Sequence, residues 1–90
     1  MIELSEEEIK GKILYNIKRK RQQYINKRDA VKGFPPHMIG DVRKVLERMV
    51  KWGLLIPFKK GECVGANMSQ KEEVARLIRI HLEKRYSDMY

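Results

Sequence analysis

The chain has 90 residues, which is enough for one domain core and too few for two. A hydrophobic fraction of 42 % beside a charged fraction of 36 % excludes wholesale disorder, and no apolar run approaches the roughly 18 residues of a membrane span. One cysteine, Cys63, excludes an intrachain disulfide; with only His37 and His81 for company it offers no metal-ligand spacing, so neither a metal nor a cofactor is expected.

The net charge of +8 is unevenly placed. Residues 1–8 carry four acids and no bases, residues 9–60 carry fifteen bases and three acids, and residues 61–90 carry five of each. A basic block of this size in a folded domain is the electrostatic footprint of a polyanion binder, although a basic surface also serves solubility alone. The opening "MIELSEEEIK" is acidic and lacks the basic-then-apolar order of a secretory signal, so a cytoplasmic protein is expected.

In chain order, the first helix is expected over residues 6–21. Ser5 and Glu8 make a capping box, and Leu4 can pack on Ile9 as a hydrophobic staple. Ile9, Ile13, Leu14 and Ile17 fall on one face. "KRKR", Lys18 to Arg21, suits the negative end of the helix dipole as a solvated terminus. It is also a weak match to a nuclear import signal.

Tyr24 and Ile25 predict a short strand, unless the first helix continues past them. Asn26 then caps a short helix over 27–32 that Gly33 ends, with Phe34 plugging the core. Pro36 opens a long helix over 36–52, whose stripe is Ile39, Val42, Val45, Leu46, Met49 and Val50. Gly53 stands where a left-handed residue would end it, with Leu54 set to contact Met49.

"LLIPF" is broken by Pro57 and reads as an edge strand; "KKGE" is a turn and "CVGANM" a second strand, giving a basic-tipped hairpin over 54–68. The last helix is expected over 70–86, with Ser69 and Glu72 as a capping box. Val74, Leu77, Ile78, His81, Leu82 and Arg85 share its inner side, while Ile80 falls outside that stripe and is expected to be exposed. Met38, Met49 and Met68 read as core filling, Trp52 as a partly buried packing residue, and Cys63 as a small strand residue.

The order helix, strand, short helix, long helix, hairpin, helix, with "VRKVLERMVKWGLLIPFKKGECV" and the weaker "INKRDAVKGF", resembles the winged helix-turn-helix superfamily, in particular its small prokaryotic-type transcription regulators. The resemblance covers Ile9 to Leu82. It implies a mostly helical α+β domain: a three-helix core, a β-hairpin wing and a C-terminal helix. It also implies that the third helix enters the major groove of double-stranded DNA while the wing follows phosphates.

Carried onto this sequence, His37, Gly40, Asp41, Arg43 and Lys44 lie nearest base edges. Arg43 would grip a guanine bidentately, and Lys44 a guanine or a phosphate. Lys27, Arg28, Lys51, Lys59 and Lys60 would hold phosphates, and Glu47 would repel DNA unless only the first two turns insert. Each has a plainer role: His37 as a cap, Arg43 and Lys44 as a solvated face, Lys59 and Lys60 as a solubilised turn. A homodimer would join the first and last helices through Ile80, Tyr86 and Met89, and would suit palindromic half-sites.

The leading expectation is a DNA-binding regulator, nucleoid-associated when bound. The alternative is a winged-helix module for protein or RNA contact in a larger assembly. An enzyme is not expected, because no paired carboxylates, no nucleophile with a base and no phosphate-cradling glycine loop appear in the sequence. No membrane and no small-molecule ligand are evident.

Overall fold

The computed structural model describes residues 4–89, with side chains through residue 84. The fold is α+β and mostly helical. Its elements are α1 (Glu6–Arg19), β1 (Ile25–Asn26), α2 (Lys27–Ala30), α3 (Ile39–Lys51), β2 (Leu55–Phe58), β3 (Cys63–Ala66) and α4 (Lys71–Met89). The three strands form one antiparallel sheet in the order β1-β3-β2.

The start of α1 is as its capping residues dictate. Ser5 Oγ accepts from the Glu8 amide at 3.2 Å, Leu4 packs on the core, and Ile9, Ile13, Leu14 and Ile17 are buried. The helix ends at Arg19, earlier than expected, because no apolar side chain past Ile17 extends the buried stripe. The Lys20 and Arg21 amides donate to the carbonyls of Ile17 and Lys18, and Arg21 turns to φ 56°. The strand is displaced by one residue: Ile25 pairs with Val64 and Asn26 with Cys63, while Tyr24 stacks on Phe58 instead. Asn26 Oδ1 accepts from the Arg28 amide at 2.8 Å, so α2 begins where expected; it ends sooner, at Ala30.

The long helix divides in two. Pro36–Met38 form a 3-10 turn, and α3 proper runs from Ile39. Its end is a complete Schellman motif. Gly53, at φ 82°, donates to the Val50 carbonyl, and the Leu54 amide to the Met49 carbonyl at 2.9 Å. Pro57 sits on β2 at the sheet edge, where a missing donor is tolerated.

The cap of α4 is not Ser69. Asn67 Oδ1 accepts from the Ser69 amide at 3.0 Å and its Nδ2 donates to the Gly53 carbonyl at 2.6 Å. One side chain therefore orders the entry to α4 and ties it to the end of α3. Ser69 lies inside the 3-10 turn Met68–Gln70 that precedes the helix.

The core draws on every layer: Ile13 and Leu14 of α1, Val42, Leu46 and Met49 of α3, Leu55 and Val64 of the sheet, and Val74 and Leu77 of α4. Fully burying each such side chain contributes about 1.5–3 kcal/mol. Phe34 and Cys63 are buried, as expected. Gly11 sets the distance between α1 and α4, since a Cβ there would overlap the Leu77 carbonyl oxygen. Asn16 is the buried polar residue of α1; its Nδ2 donates to the carbonyls of Ala30 at 2.9 Å and Lys32 at 3.0 Å, holding the end of α2.

Three packing expectations are corrected. Met68 is 58 % exposed and fills no core, because it stands on the turn before α4. Trp52 is 51 % exposed, with Lys10 Nζ 4.6 Å above its ring. Ile80 is half-buried and packs against the core, so the inner side of α4 is broader than one stripe.

Candidate nucleic-acid interface

At 100° per residue, α3 buries Val42, Val45, Leu46 and Met49 and turns Gly40, Asp41, Arg43, Lys44, Glu47, Arg48 and Lys51 outward. His37 is exposed on the preceding 3-10 turn and makes no side-chain cap there. Gly40 is exposed, with nothing within 4 Å of where a Cβ would stand. It leaves room for a close approach from outside.

Arg43 faces α2. With Lys27, Arg28 and Glu47 it lines a groove of 310 Å³ between α2 and α3. The groove wall is held by an ion pair, Lys27 Nζ to Glu47 Oε1 at 2.8 Å. This pair changes the expected roles of both residues. Glu47 is neutralised by a neighbour, and Lys27 is engaged within the fold.

The turn after β2 is joined to α2 through the backbone, because the Lys27 amide donates to the Glu62 carbonyl at 3.1 Å. The turn is tight: Lys59 and Lys60 adopt φ 51° and 58°, left-handed values costing on the order of 1–2 kcal/mol each for residues with a Cβ. Their side chains diverge in role. Lys59 Nζ lies 5.5 Å from the centroid of the Tyr24 ring, which stacks on Phe58 at 4.7 Å, so Lys59 covers an aromatic pair. Lys60 is exposed.

The expected cations thus fall into two groups. Arg43, Lys44, Lys51, Arg28 and Lys60 are exposed and make no ion pair among the described residues. Lys27 and Lys59 are engaged by Glu47 and Tyr24. Sequence reading missed the two residues that organise this face from behind, Asn16 and Asn67. Asn16 carries a usable signal: a polar residue beside Ile13 and Ile17 on the inward stripe of a helix has to find buried partners. Asn67 carries none, because its partner at Gly53 is supplied by the hairpin's return.

The side chains of Tyr86 and Met89 lie outside the described residues, and Ile80 is committed to the core of its own chain. The titration shifts lie elsewhere, on α4: a hydrogen bond from Arg76 holds the Glu73 carboxyl below its ordinary value, and the same bond raises the guanidinium. Among the described residues no group of three or more His, Cys, Asp or Glu is placed to hold a metal, and no helix is long and apolar enough to cross a membrane. Comparisons with models of known families, with curated proteins and with solved structures find no match to this chain.

Proposed function

We propose that this chain is a double-stranded DNA-binding protein of the winged helix-turn-helix type, a transcription regulator with no catalytic activity of its own. The observation that carries this reading is the outward face of α3, where Arg43, Lys44 and Lys51 stand exposed and without ion pairs among the described residues. Arg28 on the adjoining α2 and Lys60 on the turn bonded to it extend that basic surface. Five cations on neighbouring elements suit a phosphate backbone, which rewards each neutralised charge by counterion release.

In this reading the first half of α3 enters the major groove. Arg43 has the planar fork that pairs with guanine O6 and N7, and the bare Gly40 lets the helix start approach the bases. Lys60, Arg28 and Lys51 take phosphates and fix register. Lys59 stays on Tyr24, and Lys27 stays with Glu47 unless a phosphate displaces the carboxylate.

The test is binding of the purified chain to random duplex DNA over a salt series. Wild type is expected to lose affinity steeply as salt rises. Arg43→Ala with Lys44→Ala should lower the slope by up to about two charges' worth. No binding at low salt, or variants that behave like wild type, would sink the reading.

One observation favours a second reading, a protein-contact module. Ile56, 39 % exposed on the edge strand β2, and the exposed Met68 border a groove with Phe58 and Ile17. A partner held there would be lost in Ile56→Lys, whereas duplex binding would persist. A homodimer through α1 and α4 accompanies the first reading, and sedimentation equilibrium decides it.

A further inference from the structure

A hollow of 460 Å³ opens on the far side of α1 from the end of α3. Glu6 and Lys10 of α1 reach toward α3, where Glu6 pairs with Arg48 and Lys10 lies over Trp52. Lys12, Tyr15 and Arg19 leave α1 on the opposite side, at 100° per residue, and line the hollow. The remaining walls come from Lys32 and Gly33, after α2, and from His81 and Lys84 of α4. Asn16 closes the floor through its two bonds to the Ala30 and Lys32 carbonyls.

Among the described lining residues cations outnumber carboxylates. Lys12, Arg19, Lys32 and Lys84 face Glu8 as the carboxylate among the described lining residues. Lys84 Nζ stands 4.0 Å from Glu8, whereas Arg19 and Lys32 make no ion pair among the described residues. Arg19 and Lys32 therefore bring unanswered positive charge to one concavity among the described residues, and an anion there is favoured.

Part of the lining, Lys12, Tyr15, Arg19 and His81, is also held by contacts within the fold, which lowers the entropy lost on binding. Lys12 Nζ donates to the Gly33 carbonyl at 2.5 Å and lies 4.9 Å over the Phe34 ring. The Arg19 guanidinium lies 6.0 Å over Tyr15, and Tyr15 meets His81 with centroids 5.3 Å apart. Tyr15 and His81 thus form a tilted ring pair at 49°, with Arg19 beside it. The volume falls within the range of small-molecule sites.

We propose that this hollow binds a small organic anion bearing a planar ring. The ring lies against Tyr15 and His81, and the carboxylate or phosphate is held by Arg19 and Lys32, with Lys12 and Lys84 at the margin. Aromatic carboxylates and mononucleotides share this chemistry. The site is separate from the α3 face, so it stands whether or not the chain binds DNA.

The test is an amide chemical-shift titration of the full chain at constant ionic strength. The probes are benzoate and adenosine 5′-monophosphate, with benzamide and adenosine as their uncharged counterparts. Saturable shifts at Lys12, Tyr15, Arg19, Lys32 and Gly33 with one charged probe and not with its neutral counterpart support the proposal and name the class. Arg19→Gln with Lys32→Gln, both at exposed positions, should weaken that binding about tenfold or more while the rest of the spectrum stays folded. Failure of both charged probes at millimolar concentration would overturn it. So would shifts spread over the basic surface, or inorganic phosphate binding as tightly as the ring-bearing anion.

Discussion

The two halves of α3 share one buried side and differ on the other. Behind both lies the same core, Val42 and Val45 under the first half and Leu46 and Met49 under the second. In front, the first half presents Arg43 and Lys44 with no ion pair among the described residues. The second half presents Glu47 and Arg48, bound to Lys27 and to Glu6 at 2.8 Å each, and leaves only its last residue, Lys51, open among the described ion pairs. Charges answered from within the fold clamp α3 to α2 and α1. Charges left open are available to something outside it. Formal charge alone does not separate the two kinds; their neighbours do.

The comparison breaks most completely if α3 loses its seat. Leu46→Ala removes a side chain buried under the helix and should cost about 2–5 kcal/mol of stability, read by chemical denaturation. Gly11→Ala pushes a methyl group into the Leu77 carbonyl and should cost about 1–3 kcal/mol by forcing α1 and α4 apart. A tolerated Gly11→Ala would mean that α1 and α4 can shift without loss.

Next in size is the open half. Arg43→Ala and Lys44→Ala should each weaken duplex binding by up to about 1–3 kcal/mol, the larger value applying to a base-edge contact. Stability should move by no more than about 0.5 kcal/mol, because both side chains are exposed. Unchanged affinity would remove the distinction between the halves.

Glu47→Gln sharpens the comparison by turning a clamp into an open charge. Freed from its carboxylate, Lys27 should add about one charge to the salt slope of duplex binding, for a stability loss of about 1 kcal/mol or less. A slope equal to wild type would place Lys27 outside any phosphate contact. The smallest effect is expected from Arg48→Ala. It breaks the pair with the half-exposed Glu6, so stability should fall by a few tenths of a kcal/mol at most and duplex affinity should stay within about twofold.

Much of the architecture was legible in the sequence because it rests on local chemistry. Ser5 and Asn26 cap helices through bonds spanning two or three residues, and Gly53 ends α3 through a motif complete within six. Helix periodicity likewise marks the buried stripes of α1 and α3. At two points the expectation failed because a distant partner intervened. Ser69 and Glu72 form a capping box on paper, but Asn67 takes the role because Gly53, brought close by the hairpin, offers it a second bond. Ile80 looks off-stripe on a lone helix and is partly covered once α4 packs on the core.

The candidate site divides the same way. That Gly40, Asp41, Arg43, Lys44 and Lys51 share an outward surface follows from 3.6 residues per turn and the apolar stripe behind them, whereas His37 reaches solvent from the 3-10 turn before the helix. By itself, then, the sequence determined which helices form, which sides they bury, and that a basic face remains. Only the tertiary structure decided which cations stay open, since Lys27 meets Glu47 across 20 residues and Lys59 reaches a Tyr24 ring presented by another segment. It also gathered Lys12, Arg19, Lys32 and Lys84 around one hollow. Pairing energies depend on distance in space, and a charge distributed along a chain has no such distance until the chain is packed.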